Sequence, residues 1–176
     1  MVATLAACSD TPIGTAPPST ESAGLLGEIV KGARQATVLK RTIPLDADES
    51  VTRTIGSLGG TIALPGAGLT LTFPPLALRQ PTAITLLAPA GDLVGYHFEP
   101  HGLEFRVPVL AVQHLDGTQV PLLEGLLGIG LYAGYFEDEL APVVHVLETL
   151  PLHPVGTGGA GVFHLTHFSG YVIATN

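Results

Sequence analysis

A single cysteine, no tryptophan and only seven basic residues are the scarcities of this chain of 176 residues. One cysteine cannot close an intramolecular disulfide or supply a Cys-based zinc site, so neither a disulfide framework nor a zinc ribbon holds the fold. The seven basic residues (Lys31, Arg34, Lys40, Arg41, Arg53, Arg79, Arg106) are thinly spread, and the formal charge is -8. No cluster among them can neutralise several phosphates together, which excludes nucleic acid as a partner. No apolar run reaches the ~20 residues that a bilayer-spanning helix needs.

What the chain does have is 22 Gly, 15 Pro and 46% hydrophobic residues. Frequent helix breakers with little charge disfavour long helices and point to a turn-rich all-β domain. The length suits one domain with a tail, large enough for a real core.

The chain opens Met1-Val2-Ala3-Thr4-Leu5-Ala6-Ala7-Cys8. Leu-Ala-Ala-Cys resembles a bacterial lipobox, in which a small-residue site is cut and the new N-terminal Cys8 carries the lipid. Only seven residues precede Cys8, short of an n-region and an apolar h-region, so the true start is expected upstream. Ser9 in place of Asp after the cysteine favours the outer membrane. Residues 9 to about 20 are Thr, Pro, Ser, Gly and Ala with almost no large apolar groups, and they read as a tether. Leu25, Leu26, Ile29, Val30 and Ala33 recur at helical spacing, and Ser22 can cap a short helix there. Gly24, Gly27 and Gly32 weaken that helix, so it must dock on the domain.

From Val51 the period becomes two. Leu69, Leu71 and Phe73 alternate with Thr70 and Thr72, and Ile84 and Leu86 flank Thr85. Turn signals follow at short intervals, among them Pro65-Gly66, Pro74-Pro75, Pro100-His101-Gly102 and Asp116-Gly117. Further strands are expected over 105–113, 129–136, 143–148 and 162–174. The expected architecture is an antiparallel β-sandwich over 51–176, preceded by a truncated lipoprotein signal (1–8) and a tether with a short helix (9–50).

The run Gly59-Gly60-Thr61-Ile62-Ala63-Leu64-Pro65, followed by Gly68-Leu69-Thr70-Leu71-Thr72-Phe73-Pro74-Pro75-Leu76-Ala77-Leu78, resembles the ZU-5 domain. That β-sandwich occurs in zona-occludens scaffolds, netrin receptors, ankyrins and a death-domain adaptor. The resemblance extends less tightly through Thr82–Leu86 and Pro100–Phe105 to His167-Phe168-Ser169-Gly170-Tyr171. With the lipobox, the chain resembles bacterial lipoproteins bearing a ZU-5-like domain that ends in the same His-Phe-Ser-Gly-Tyr run.

The sharpest chemical candidate is implied by that resemblance: relatives cut their own backbone between Phe and Ser of His-Phe-Ser. Here the Ser169 hydroxyl would attack the Phe168 carbonyl while His167 takes its proton, and water would hydrolyse the resulting ester. The released piece, Ser169 to Asn176, carries no domain, which favours a structural role in which Phe168 and Tyr171 anchor a final strand. His97, Glu99 and His101 share one face of an extended strand and are weak metal candidates. Pro100 and Gly102 turn the chain there and separate the side chains. Glu137-Asp138-Glu139 reads as a solvated hairpin tip, too few ligands for calcium. Gly156 to Gly161 matches G-x-G-x-x-G but precedes a strand, so it has no helix dipole to cradle a phosphate. His145, His153 and His164 read as solvated. The expected protein is a non-catalytic interaction or structural module of the bacterial cell envelope. Lipid on Cys8 holds it to the membrane, it takes no cofactor, and it meets an envelope partner through loops or a strand edge. Self-cleavage is the first alternative, and a metal- or carbohydrate-binding module the second.

Overall fold

The computed structural model describes residues 30–120, 130–156 and 159–175. Within them the chain forms strands and no helix. In order these are β1 (Val30–Val38), β2 (Lys40–Leu45), β3 (Glu49–Ile55), β4 (Gly60–Leu64), β5 (Leu69–Phe73), β6 (Thr82–Ala88) and β7 (Gly91–Leu93). They continue as β8 (Gly95–Glu99), β9 (Glu104–His114), β10 (Tyr132–Phe136), β11 (Val143–Pro151), β12 (His153–Val155), β13 (Ala160–His167) and β14 (Gly170–Thr175). A seven-stranded sheet, β1-β11-β10-β14-β8-β6-β3, faces a five-stranded sheet, β12-β13-β9-β5-β4, and β2 pairs with β7 beside them. All pairings between these strands are antiparallel. The fold is the expected antiparallel β-sandwich.

Alternation builds the main core. Leu69, Leu71 and Phe73 of β5 point inward against Ile84, Leu86 and Ala88 of β6, Tyr96 and Phe98 of β8, and Phe163 and Leu165 of β13. The intervening threonines are less buried, as period-two strands with one wet face require. The segment Gly59 to Pro75 lies here as the β4–β5 hairpin with its flanking turns. Gly59 has φ +75°, and a Cβ on it would collide with the Phe73 carbonyl, so glycine is required at that turn.

A second, smaller core was not anticipated. β1 pairs with β11, β11 with β10, β10 with β14, and the end of β1 returns to β14, closing a ring of four strands. Each supplies two buried side chains to its interior: Ala36 and Val38, Val144 and Val146, Tyr132 and Phe136, Val172 and Ala174. Arg34 lies over the Tyr132 ring at 4.4 Å. Because Tyr171 and Ile173 face the main core while Val172 and Ala174 face this ring, β14 is buried on both sides. That explains its unbroken apolar run.

Three expectations are corrected. Val30 to Ala33, assigned to a short helix, lie in β1, and the rest of that helix (22–29) falls outside the described residues. Antiparallel pairing with β11 overrides a local helical spacing that glycine already weakens, and Gly32 falls in the register break between Lys31 and Arg34, where a bulge suits glycine. The seven-stranded sheet accordingly includes β1 (Val30–Val38), which lies ahead of Val51, the expected first residue of the sandwich. Finally, residues 162–174 are not one strand: the chain leaves the five-stranded sheet at His167 and enters the seven-stranded sheet at Gly170.

Candidate functional site

Phe168 and Ser169 form this two-residue crossover between the sheets. Phe168 is fully enclosed by aromatic rings, with centroids of Phe105, Phe98 and Phe73 at 4.8, 5.1 and 6.0 Å. Both of its backbone groups are held by the turn that links β8 to β9. The Phe168 N–H donates to the Leu103 carbonyl at 2.8 Å, and the Gly102 N–H donates to the Phe168 carbonyl at 2.9 Å. The Ser169 carbonyl accepts from the Phe98 N–H at 3.1 Å.

The three residues of the His-Phe-Ser run do not act as one group. Ser169, 2% exposed, places Oγ 2.9 Å from Nε2 of His101. The His167 ring is engaged with other groups: its Nε2 is 3.5 Å from Glu148 Oε2 and its Nδ1 is 3.4 Å from the Tyr171 hydroxyl. This corrects His167 as the base for Ser169. The chain crosses into the second sheet between the two residues, and the β8–β9 turn places His101 beside the Ser169 hydroxyl. His101 was singled out in the sequence for a metal; nothing in the spacing from 101 to 169 pairs it with a serine.

Around the corner sit further polar groups. The Tyr171 hydroxyl donates to the His167 carbonyl at 3.0 Å, and burial, with Glu148 and Tyr135 adding to it, pushes its phenol far above the ordinary range. Tyr135 bonds to Glu137 and stands edge-on to the His167 ring at 5.3 Å. Burial and Glu137 raise its pKa, which a hydrogen bond with Ser169 partly offsets. Glu148 is 7% exposed, and His167 is its ion-pair partner. Chemically, the corner holds a hydroxyl, an imidazole within hydrogen-bond reach, and one N–H donor on the adjacent carbonyl. These are three parts of an N-to-O acyl shift.

The metal candidates are not brought together. His97 packs on the Phe136 ring at 5.7 Å, the Glu99 carboxylate accepts from the His101 N–H at 2.8 Å, and the His101 ring faces Ser169. Strand β8 ends at Glu99, so the shared face ends before His101. Among the described residues no group of three His, Cys, Asp or Glu converges as metal ligands would. His97 lines a cavity of about 380 Å³ with Asp92, Glu139 and Leu140, and burial lowers its pKa despite the nearby Glu99. Glu137, Asp138 and Glu139 are exposed between β10 and β11, and His145, His153 and His164 are exposed. Cys8 lies outside the described residues, as do parts of the Gly156–Gly161 run. No family model matches the chain, and no curated protein matches it.

Proposed function

We propose that the protein is a non-catalytic module of the bacterial cell envelope: a ZU-5-like sandwich held to the membrane by lipid on Cys8, and serving an interaction or structural role. The observation that carries the non-catalytic half is the joint at Phe168. Its side chain is enclosed, its N–H and C=O are both bonded to the 102–103 turn, and the strand that follows lies in the middle of the larger sheet. Such a joint explains the His-Phe-Ser-Gly-Tyr run by packing alone. The anchor rests on Leu5-Ala6-Ala7-Cys8 and the tether-like composition after it. A partner would meet the exposed turns, where Leu58 is 88% and Leu76 64% exposed on two turns joined by the Leu76 N–H to the Ser57 carbonyl. The test is the denatured intact mass of protein expressed behind an upstream signal region and recovered from bacterial membranes. A mass of Cys8 to Asn176 plus lipid is expected. An unlipidated full chain overturns the anchor.

A second reading, self-cleavage between Phe168 and Ser169, is favoured by one contact, Ser169 Oγ to His101 Nε2, with Gly102 N–H on the carbonyl to be attacked. In it His101 takes the proton as Oγ adds to the Phe168 carbonyl carbon, the C–N bond breaks, the freed amine takes the proton, and water hydrolyses the ester. A chain ending at Phe168 in the same mass measurement, absent in Ser169→Ala, selects this reading over the first.

A further inference from the structure

The only two exposed leucines among the described residues stand at one corner of the sandwich. Leu58, 88% exposed, lies in the turn from β3 to β4, and Leu76, 64% exposed, lies in the loop from β5 to β6. The Leu76 N–H donates to the Ser57 carbonyl at 2.8 Å, which holds the two turns together. Little within the chain calls for leucine at either place. Leu76 even keeps a φ of +65°, a conformation that costs a residue with a Cβ, so a contact outside the chain is the better account of its side chain.

The loop around Leu76 has spent its backbone donors. Pro74 and Pro75 have no N–H, the Leu76 N–H is taken by Ser57, and the Ala77 N–H donates to the Pro74 carbonyl at 3.2 Å. In the neighbouring turn the Gly59 N–H donates to the Gly56 carbonyl at 3.0 Å. Such a loop can leave water for an apolar medium without stranding a donor. The charge around it is basic. No Asp or Glu occurs between Glu49 and Asp92, in a chain that holds 15 of them. Arg79 lies in the same loop, Arg106 is fastened to it by its own N–H to the Ala77 carbonyl at 3.0 Å, and Arg53 reaches the Thr61 carbonyl through Nη1 at 2.6 Å. All three are exposed, and none has an ion-pair partner among the described residues. Of the acids on the adjoining strands, Glu99 accepts the His101 N–H and Glu104 lies two residues before Arg106. The acidic run Glu137 to Glu139 follows β10, four strands from β3 in the larger sheet. A chain of formal charge -8 therefore carries a basic corner around its two exposed leucines.

Two leucines on turns offer a folded partner far less than the roughly 800 Å² per side of a stable protein interface. A bilayer needs no complementary shape, and anionic headgroups attract the arginines. We propose that this corner docks on an anionic phospholipid surface, with Leu58 and Leu76 entering the apolar boundary and Arg53, Arg79 and Arg106 meeting the headgroup phosphates. This rests on the reading that a partner meets the exposed turns, and it names that partner as lipid. It does not require the lipid on Cys8, so the test uses the unlipidated full chain. The chain has no tryptophan, and Leu58→Trp supplies a single fluorescent reporter. Ile43→Trp is the control: Ile43 is 80% exposed but lies with the Pro65–Gly68 turn at the opposite end of the sandwich. Both are titrated with vesicles of phosphatidylglycerol and phosphatidylcholine in equal parts, and with phosphatidylcholine alone. A saturable blue shift of Leu58→Trp on the mixed vesicles is expected, at least fivefold weaker on phosphatidylcholine, with no shift of Ile43→Trp. Adding Leu76→Asn to Leu58→Trp should weaken binding at least fivefold. Adding Arg79→Gln with Arg106→Gln should do the same on the mixed vesicles alone. No shift on either vesicle overturns the proposal and leaves the turns to a protein partner. Equal shifts of the two reporters overturn it too, as does a shift that the Leu76 and arginine substitutions leave unchanged. The intact mass decides the anchor separately: a lipidated protein whose turns ignore vesicles loses this proposal alone, and an unlipidated one whose turns bind them keeps it.

Discussion

Ser169 and His101, separated by 68 residues in the chain, meet through Oγ and Nε2 at 2.9 Å, and this contact ties the sheet crossover to the β8–β9 turn. If the corner is a structural joint, removing either partner changes stability and not chain length. Ser169→Ala and His101→Ala should each destabilise by about 1 kcal/mol, and the double variant by less than the two together, because the same hydrogen bond is lost. Urea denaturation measures the coupling, and intact mass on the same samples gives the chain length. A wild-type chain that ends at Phe168, with both variants uncut, would transfer the contact from the joint to a catalytic pair.

The sandwich was legible because its strands alternate: Leu69-Thr70-Leu71-Thr72-Phe73 declares one buried and one wet face without help from the rest of the chain. β14 and β1 were less legible for the opposite reason. Tyr171 to Ala174 is buried on both faces, so no alternation marks where the strand begins, and its junction with β13 is set by a change of sheet that local pattern does not encode. Val30 to Val38 finds its partners in β11, more than a hundred residues on, and a window centred on Leu25 to Ala33 reports helical spacing instead. The site failed in the same way. The His167–Ser169 pair came from the resemblance at His167-Phe168-Ser169, whereas the turn between β8 and β9 brings His101, 68 residues away in the chain, onto the Ser169 hydroxyl.

Close approach in the small ring makes a sharp prediction at Gly134. A Cβ there would lie 2.5 Å from Cγ1 of Val146 on the neighbouring strand, so Gly134→Ala should destabilise by about 1–3 kcal/mol through overpacking. Trimming the obstacle should relieve it. In Gly134→Ala with Val146→Ala the measured loss should fall short of the sum of the single losses by about 1 kcal/mol or more. Additive losses would show that the clash is absorbed elsewhere.

Stability should decline at both ends of the pH scale, for different residues. Burial pushes the Tyr96 phenol up to about 12, with the Arg41 charge opposing it, and raises Tyr171 in the same direction. A folded pKa above the unfolded value of 10 means that this contribution is complete below pH 10 and is lost as pH rises toward 12, amounting to about 2–3 kcal/mol for Tyr96. For His97 burial lowers the pKa from 6.5, so its contribution is complete above that value and is lost as pH falls through the folded pKa. Denaturation midpoints across the pH range, with tyrosinate absorbance read in parallel, should show both limbs. Tyr96→Phe should shrink the alkaline limb and leave the part due to Tyr171, even though losing the bonds to Ala67 and Gln113 lowers stability throughout. His97→Gln should flatten the acid limb and leave the alkaline one in place.

Leu76 offers a substitution that should stabilise. Its φ is +65°, a left-handed conformation that crowds the Cβ of an L residue, and its side chain is 64% exposed, so little packing offsets the strain. The backbone is fixed there because the Leu76 N–H donates to the Ser57 carbonyl at 2.8 Å and the Ala77 N–H to the Pro74 carbonyl at 3.2 Å. Asparagine tolerates the left-handed region better than leucine, so Leu76→Asn should raise stability by about 0.5–1 kcal/mol with the fold unchanged. Leu58→Asn is the control. That residue is more exposed and lacks the positive φ, so its substitution should stay within about 0.5 kcal/mol of wild type. A loss at position 76 larger than at 58 would mean that the Leu76 side chain is held there for contacts beyond its own turn. In that case the left-handed backbone would serve to present an apolar side chain at a partner surface, and the same Leu76→Asn protein would be the variant with which to measure that binding.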